Sequence, residues 1–249
     1  MHRLLADSAL LGSESPSLPR DAERHLKVLR VKPGESVELF DGAGRTRLYS
    51  VSKTGSLAAS APVVSHPRRA WSVTLFACVT KGSRWDWTVE KATELGVSRI
   101  VPVISERTIV RLAGDEKAAK AERWRRVAED AARQSDAVWL PEVVEPVSFA
   151  ESIPMVSGCA ACFVGALAEP PPKPMLAAVG EALSAGGAHG SYGVYVGPEG
   201  DFTPAELESL LKTALPVSLG PTVLRAETAA IYACTVLTAA LEAQGSGNC

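Results

Sequence analysis

The sequence predicts an α/β protein with a mostly parallel sheet, preceded by a smaller β-rich domain. Three observations carry this reading. From Trp71 onward, short apolar runs alternate with helical stretches, the texture of a parallel sheet covered by helices. Residues 1 to about 65 show brief alternating runs divided by turn residues instead. Between the two lies His66-Pro67-Arg68-Arg69, a polar and proline-broken linker composition. Domains over 1–68 and 69–249 follow.

In the first domain, Ser36–Asp41 alternates and the Asp41-Gly42-Ala43-Gly44 turn leads into Arg45–Val51. Lys53-Thr54-Gly55-Ser56 then turns into a run ending near Val64, which predicts a small antiparallel barrel. In the second domain, strands are expected at Val73–Val79, Ile100–Ile104, Ala160–Val164, Gly193–Val196 and Val217–Leu219. Helices are expected at Trp85–Leu95, Lys117–Gln134, Met175–Leu183, Pro204–Thr213 and Glu227–Ala243. Ser83 is placed to cap the first helix and Gly96 to end it. Thr203-Pro204-Ala205-Glu206 has a capping-box Thr and Glu with proline at the first helical position.

Composition bounds the function. Nearly half the chain is apolar, enough for a core without metals or disulfides. Five unevenly spaced cysteines argue against a disulfide framework and for a reducing compartment. The opening MHRLLADSAL has no signal-peptide pattern, and runs such as Trp71–Val79 are too short to cross a bilayer. A cytoplasmic protein without membrane contact is expected. The net charge of −2 lends no support to nucleic-acid binding. Between Arg20 and Lys32, however, five cations stand against two carboxylates.

Two glycine-containing loops follow strands in the second half. Val196-Gly197-Pro198-Glu199-Gly200 lies between a strand and a capped helix. Leu219-Gly220-Pro221 leads through Leu224-Arg225-Ala226-Glu227-Thr228-Ala229 into the last helix. Ligands of open α/β sheets bind beyond the carboxyl ends of strands, where glycine lets backbone approach closely. A plain strand-to-helix turn explains either loop equally well in isolation. Arg225 is suited to anchor a carboxylate or phosphate, and Glu227 to favour the dipole of the last helix.

The ordered set of motifs resembles the ribosomal RNA small-subunit methyltransferases that modify N3 of a uridine, within the SPOUT superfamily. The set begins with Arg24-His25-Leu26 and Val28-Leu29-Arg30. It continues with Lys81-Gly82, Trp85-Asp86, Lys91–Val97, Glu106-Arg107, Arg123-Trp124, Gln134-Ser135 and Pro141, and closes on the two loops above. The resemblance implies an N-terminal PUA-like RNA-binding β-barrel and a C-terminal trefoil-knot domain binding S-adenosyl-L-methionine. It further implies a homodimer acting on small-subunit (16S) ribosomal RNA, free or within the small ribosomal subunit. Topological rules alone argue against a knot.

By the same resemblance, the cofactor contacts fall at Gly165, Leu167, Val196, Gly197, Pro198, Glu199, Gly200, Leu219, Gly220 and Leu224. RNA contacts fall at Arg24, His25, Arg30, Lys81, Arg84, Lys91, Arg107 and Gln134. Methyl transfer requires alignment of donor and acceptor, plus help in removing the weakly acidic N3 proton. Arg225 is the expected electrostatic partner, and Glu199 or Glu227 the proton acceptor or orienter. No metal is required. A diverged methyltransferase acting on another RNA, and a non-catalytic assembly factor of the same fold, are the alternatives.

Three positions depart from the family pattern. Asp201 stands where a glycine usually continues the loop. Asp136-Ala137-Val138 and Pro221-Thr222-Val223 each lack a usual arginine. Cys159-Ala160-Ala161-Cys162 has a metal-like spacing but opens an apolar strand without further ligands, which favours buried core thiols. His189 reads as a solvated loop residue, and the mixed charges of Lys117–Gln134 as a solvated helix face.

Overall fold

The computed structural model describes residues 2–28, 30–187 and 189–245. Leu29 of the Val28-Leu29-Arg30 motif and Cys249 lie outside them. The chain divides into two units, one comprising 1–68 with 129–140, the other 69–128 with 141–249.

The first unit contains β1 (His2–Leu5), α1 (Ser8–Gly12), α2 (Arg20–Val28), β2 (Ser36–Phe40), β3 (Arg45–Val51), β4 (Leu57–Ala59) and β5 (Val64–Ser65). β3 is central and pairs antiparallel with β2, β4 and β5. The expected purely antiparallel arrangement is corrected at β1, which runs parallel to β2. Two intervening helices supply the crossover that a parallel pair requires. Leu4, Leu11, Val37, Leu39 and Tyr49 form the core. Buried Arg47 is satisfied by the carbonyls of Ala61 at 2.9 Å and Leu11 at 3.2 Å, and by Glu14.

The second unit contains β6 (Trp71–Cys78), α3 (Ser83–Glu94), β7 (Arg99–Ile104), α4 (Asp115–Gln134), β8 (Glu142–Val143), β9 (Val147–Ser148), α5 (Phe149–Ser152), β10 (Cys159–Gly165), α6 (Met175–Gly186), β11 (Gly190–Val196), α7 (Pro204–Leu210), β12 (Leu215–Val217) and α8 (Ala226–Gly245). The last turn of α4 groups with the first unit. The strands form one sheet in the order β12-β10-β11-β6-β7-β8, with β9 also on β7. Every pairing in it is parallel. Central β6 and β11 are buried along nearly their whole length, as strands covered on both faces must be. One core cluster includes Leu75, Ile100, Val194 and the α8 residues Ala233 and Leu237; the other centres on Phe76 stacked on Tyr195 at 4.5 Å.

Local signals place the helices well. Thr203 and Glu206 form the expected capping box of α7. Gly96, at φ 73°, follows the end of α3. Ser83 is the first residue of α3 rather than its cap; Gly82 occupies that position and provides no side-chain bond. No helix among the described residues is long and apolar enough to cross a membrane.

Candidate functional site

Three loops leave the carboxyl ends of β10, β12 and β11 and converge on one cavity of about 300 Å³. The first is Ala166-Leu167 after β10, and the second runs from Gly197 to Asp201 after β11. The third runs from Ser218 after β12 to the start of α8, whose Ala226 and Ala229 complete the wall. Every expected cofactor contact lines this cavity except Gly200. The carbonyl of Gly200 instead accepts a bond from Arg107 Nη1 at 2.8 Å. Ala166, Asp201, Ser218, Thr222, Val223, Ala226 and Ala229 also line it; Ala226 and Ala229 belong to the motif that opens the last helix, and Asp201, Thr222 and Val223 to the departures from the family pattern.

The glycines are needed for space. A Cβ on Gly165 would lie 2.8 Å from Leu219 Cδ1, and one on Gly197 3.1 Å from Asp201 Oδ1. Beyond Gly200, Asp201 holds a left-handed conformation at φ 59°, which accounts for the glycine usual at this position. Asp201 Oδ1 accepts the Phe202 N–H at 2.7 Å, a local bond of the kind that lets aspartate occupy this region. Behind the loop, Glu206 Oε1 accepts the Glu106 N–H at 2.9 Å, tying the segment after β7 to the start of α7.

Distant cations also reach this loop. Arg84 Nη1 donates to Glu199 Oε1 at 3.1 Å across 115 residues of sequence. With Arg107 on Gly200, two of the expected RNA contacts therefore hold the loop that lines the cavity. Arg225 is exposed and lines the cavity, and its guanidinium has no bonding partner among the described residues. Glu227 does not line it; its Oε2 is buried without a hydrogen-bond partner in the first turn of α8.

The other expected RNA contacts scatter. Lys81 lines a second cavity, of about 560 Å³, at the start of α3. Lys91 is bound by Glu90 and Glu94, each at 2.8 Å, and these bonds raise its pKa. In the first unit, Arg24, Arg30 and Gln134 are exposed. His25 is half-buried; burial, then the charges of Arg133 and His2, push its pKa below 6.5, so the ring is mainly neutral at pH 7. Cys162 is buried in β10 and Cys159 half-buried, both as free thiols. Burial pushes the Cys162 thiol up to about 12.

A parallel sheet whose strand ends feed glycine-containing loops into one cavity defines a ligand-binding α/β protein. Residues 67–238 match the family model of an RNA methyltransferase domain, and residues 18–60 that of an RNA methyltransferase PUA domain. The chain belongs to this RNA methyltransferase family. It is similar to the ribosomal RNA small subunit methyltransferase E of Mycobacterium bovis, 34% identical over 235 residues and covering 88% of this chain and 85% of the relative. The Synechocystis protein of the same name is 32% identical over 223 residues, covering 87% and 70%. Among solved structures, ribosomal RNA small subunit methyltransferase E of Neisseria gonorrhoeae bound to S-adenosyl methionine superposes with a TM-score of 0.77. It is 29% identical and covers 96% of this chain and 97% of its own.

Proposed function

We propose that this chain transfers the methyl group of S-adenosyl-L-methionine to N3 of a uridine in small-subunit (16S) ribosomal RNA, acting as a cytoplasmic homodimer. The observation that carries this reading is the convergence of three loops on a single cavity with Arg225 and Glu199 on its wall. The residues present fit the cofactor: Gly165 and Gly197 leave the space a Cβ would fill, while Leu167, Leu219 and Leu224 offer apolar contact. Backbone groups of the same loops are available for the polar ends of the ligand.

The cofactor supplies an electrophilic methyl carbon on a sulfonium, so the protein's task is placement and proton management. Glu199 lines the cavity and serves as the proton acceptor for the uracil N3–H; Arg84 orients its carboxylate. Arg225, a cation without a partner among the described residues, stabilises the uracil anion left behind. Glu227, off the cavity wall in the first turn of α8, acts as an orienter of the loop that carries Arg225. Residues 1–68, with Arg24, His25 and Arg30, hold the RNA, while 69–249 carry out transfer. Exposed Leu167, Leu176, Leu215 and Val223 offer apolar surface to a second copy. Sedimentation of the full chain as a monomer at micromolar concentration would remove the dimer from the proposal.

The test offers labelled S-adenosylmethionine and this protein to small ribosomal subunits from cells lacking their own uridine N3 enzyme. Label in N3-methyluridine after digestion is the expected result. Label absent, with cofactor binding intact by calorimetry, refutes the uridine assignment and points to another RNA. Loss of cofactor binding as well refutes an enzymatic role.

A further inference from the structure

The second cavity, of about 560 Å³, shares no lining residue with the first. It opens where β6 runs into α3. Two of its residues carry polar atoms without a hydrogen-bond partner among the described residues: Thr80 Oγ1 and Trp85 Nε1. The two residues are 3% and 1% exposed. An indole N–H can only donate, and a buried donor left unpaired is costly, so Trp85 Nε1 is short of an acceptor, while the Thr80 hydroxyl can donate to one or accept from a donor. Gly82 caps α3 without a side-chain bond, leaving the first amides of that helix open to an acceptor as well.

Charge on the wall has the same sense. Arg123 is taken up by Asp86, Arg111 by the carbonyls of Ser105 and Glu106, and Glu116 by the Ala113 N–H. Lys81 and Lys120 remain, exposed and without a partner among the described residues. Apolar wall is supplied by Val79, Val110 and Ile109, the last 67% exposed.

We propose that this cavity receives a second, unpaired nucleotide of the RNA strand, distinct from the one methylated. The inference rests on the RNA reading above. The base enters, and its carbonyl or ring-nitrogen acceptors take the Trp85 and Thr80 donors; its faces lie against the apolar wall, and its phosphate meets Lys81 and Lys120. Splayed single-stranded bases are the usual object of sequence-specific RNA recognition. The volume lies within the range of small-ligand sites.

The experiment titrates the 15N-labelled full chain with each of the four nucleoside monophosphates and follows the tryptophan indole N–H signals by NMR. The Trp85 signal, assigned with Trp85→Phe, should shift saturably with at least one nucleotide. Lys120→Ala should weaken that binding about threefold and Thr80→Val about tenfold, with cofactor affinity unchanged in both. Should Trp85→Phe fail to fold, Thr80→Val, nearly constant in volume, identifies the signal by the displacement it causes. A Trp85 signal unmoved by every nucleotide at millimolar concentration overturns the proposal. An equal response to inorganic phosphate alone also overturns it, leaving a simple anion site. If Trp85 responds while no RNA is methylated, the proposed function fails and this site stands. If methylation proceeds with Trp85 silent, the site fails and the function stands.

Discussion

Gly165→Ala should weaken cofactor binding without unfolding the protein. The added Cβ would lie 2.8 Å from Leu219 Cδ1 and 3.3 Å from its Cγ. Carbon pairs prefer about 3.5–4.0 Å, so Leu219 must yield by roughly 1 Å. Gly165 is not at positive φ, so the backbone itself accepts alanine. Leu219 lines the cavity, so a retreat of its side chain from Gly165 into that open space takes room from the ligand. In the free protein that retreat is cheap, and stability should fall by less than about 1 kcal/mol. In the complex the displaced methyl competes with the ligand. Overpacking of that kind costs about 1–3 kcal/mol, equivalent to roughly 5- to 150-fold in Kd. Calorimetry with S-adenosylmethionine reads the loss, and a thermal melt of the free protein reads stability. Adding Leu219→Ala to Gly165→Ala removes the colliding atoms, so the double variant should recover much of the affinity, a non-additive cycle. A Kd within about twofold of the parent, or strictly additive losses, would refute the argument that the Gly165–Leu219 contact shapes the site.

The Arg225 side chain is exposed and unpartnered among the described residues, so Arg225→Ala leaves no buried charge behind and should change stability by under about 0.5 kcal/mol. Single-turnover transfer should fall about 10²- to 10³-fold, and near-parental turnover would remove Arg225 from the mechanism. At Asp201, φ 59° predicts that alanine costs about 1 kcal/mol whereas glycine is nearly neutral, readable by urea unfolding. Asp41 provides a pH signature. Burial alone would raise its pKa, but bonds from Arg45 N at 3.0 Å, Ala43 N at 2.9 Å, Arg45 Nε at 2.8 Å and Ser8 Oγ at 3.1 Å outweigh it, and the folded value lies below 3.8. Its stabilisation is complete above the unfolded value near 3.8 and lost as pH falls through the lower folded one. Asp41→Asn should flatten that acid limb, and an unchanged limb in acid titrations of stability would contradict the assignment.

The parallel sheet was legible because its strands are long apolar runs and its helices carry local stop and start signals, as at Thr203, Glu206 and Gly96. The cavity was legible in part for the same reason, because Gly197 and Gly220 lie in loops that follow strands, whereas Gly165 entered only through the family resemblance. What local patterning conceals is pairing at a distance. β1 spans only His2–Leu5, and β8 and β9 have two residues each, too few to show a period. α2 presents a largely polar surface with Leu26 as its buried apolar anchor, so its sequence resembles a charged linker. Arg84 reaches Glu199, and Arg107 reaches Gly200, over 115 and 93 residues respectively. Nothing in the sequence brings Lys120 of α4 to the cavity that Thr80 and Trp85 share.

The departures from the family pattern remove positive charge, yet two of the carboxylates involved are engaged locally. Asp201 binds the Phe202 N–H, and Asp136, at φ 57°, lies 3.6 Å from the buried guanidinium of Arg3. That guanidinium also donates to the carbonyl of Ala132 at 2.9 Å, and to that of Ala137. These aspartates therefore serve backbone conformation and internal pairing, which leaves the third departure as the test of charge. Thr222 is exposed on the cavity wall between Pro221 and Val223, the latter 76% exposed, so a longer side chain there meets solvent. Thr222→Arg adds one cation without displacing a packed group. If the RNA backbone passes this loop, each new phosphate contact should steepen the dependence of log affinity on log salt by about 0.7 for a single strand. Binding should tighten at low salt and converge on the parent at high salt. An unchanged slope would show that RNA does not approach Thr222, and that the missing arginine near Leu224 costs the enzyme no phosphate contact.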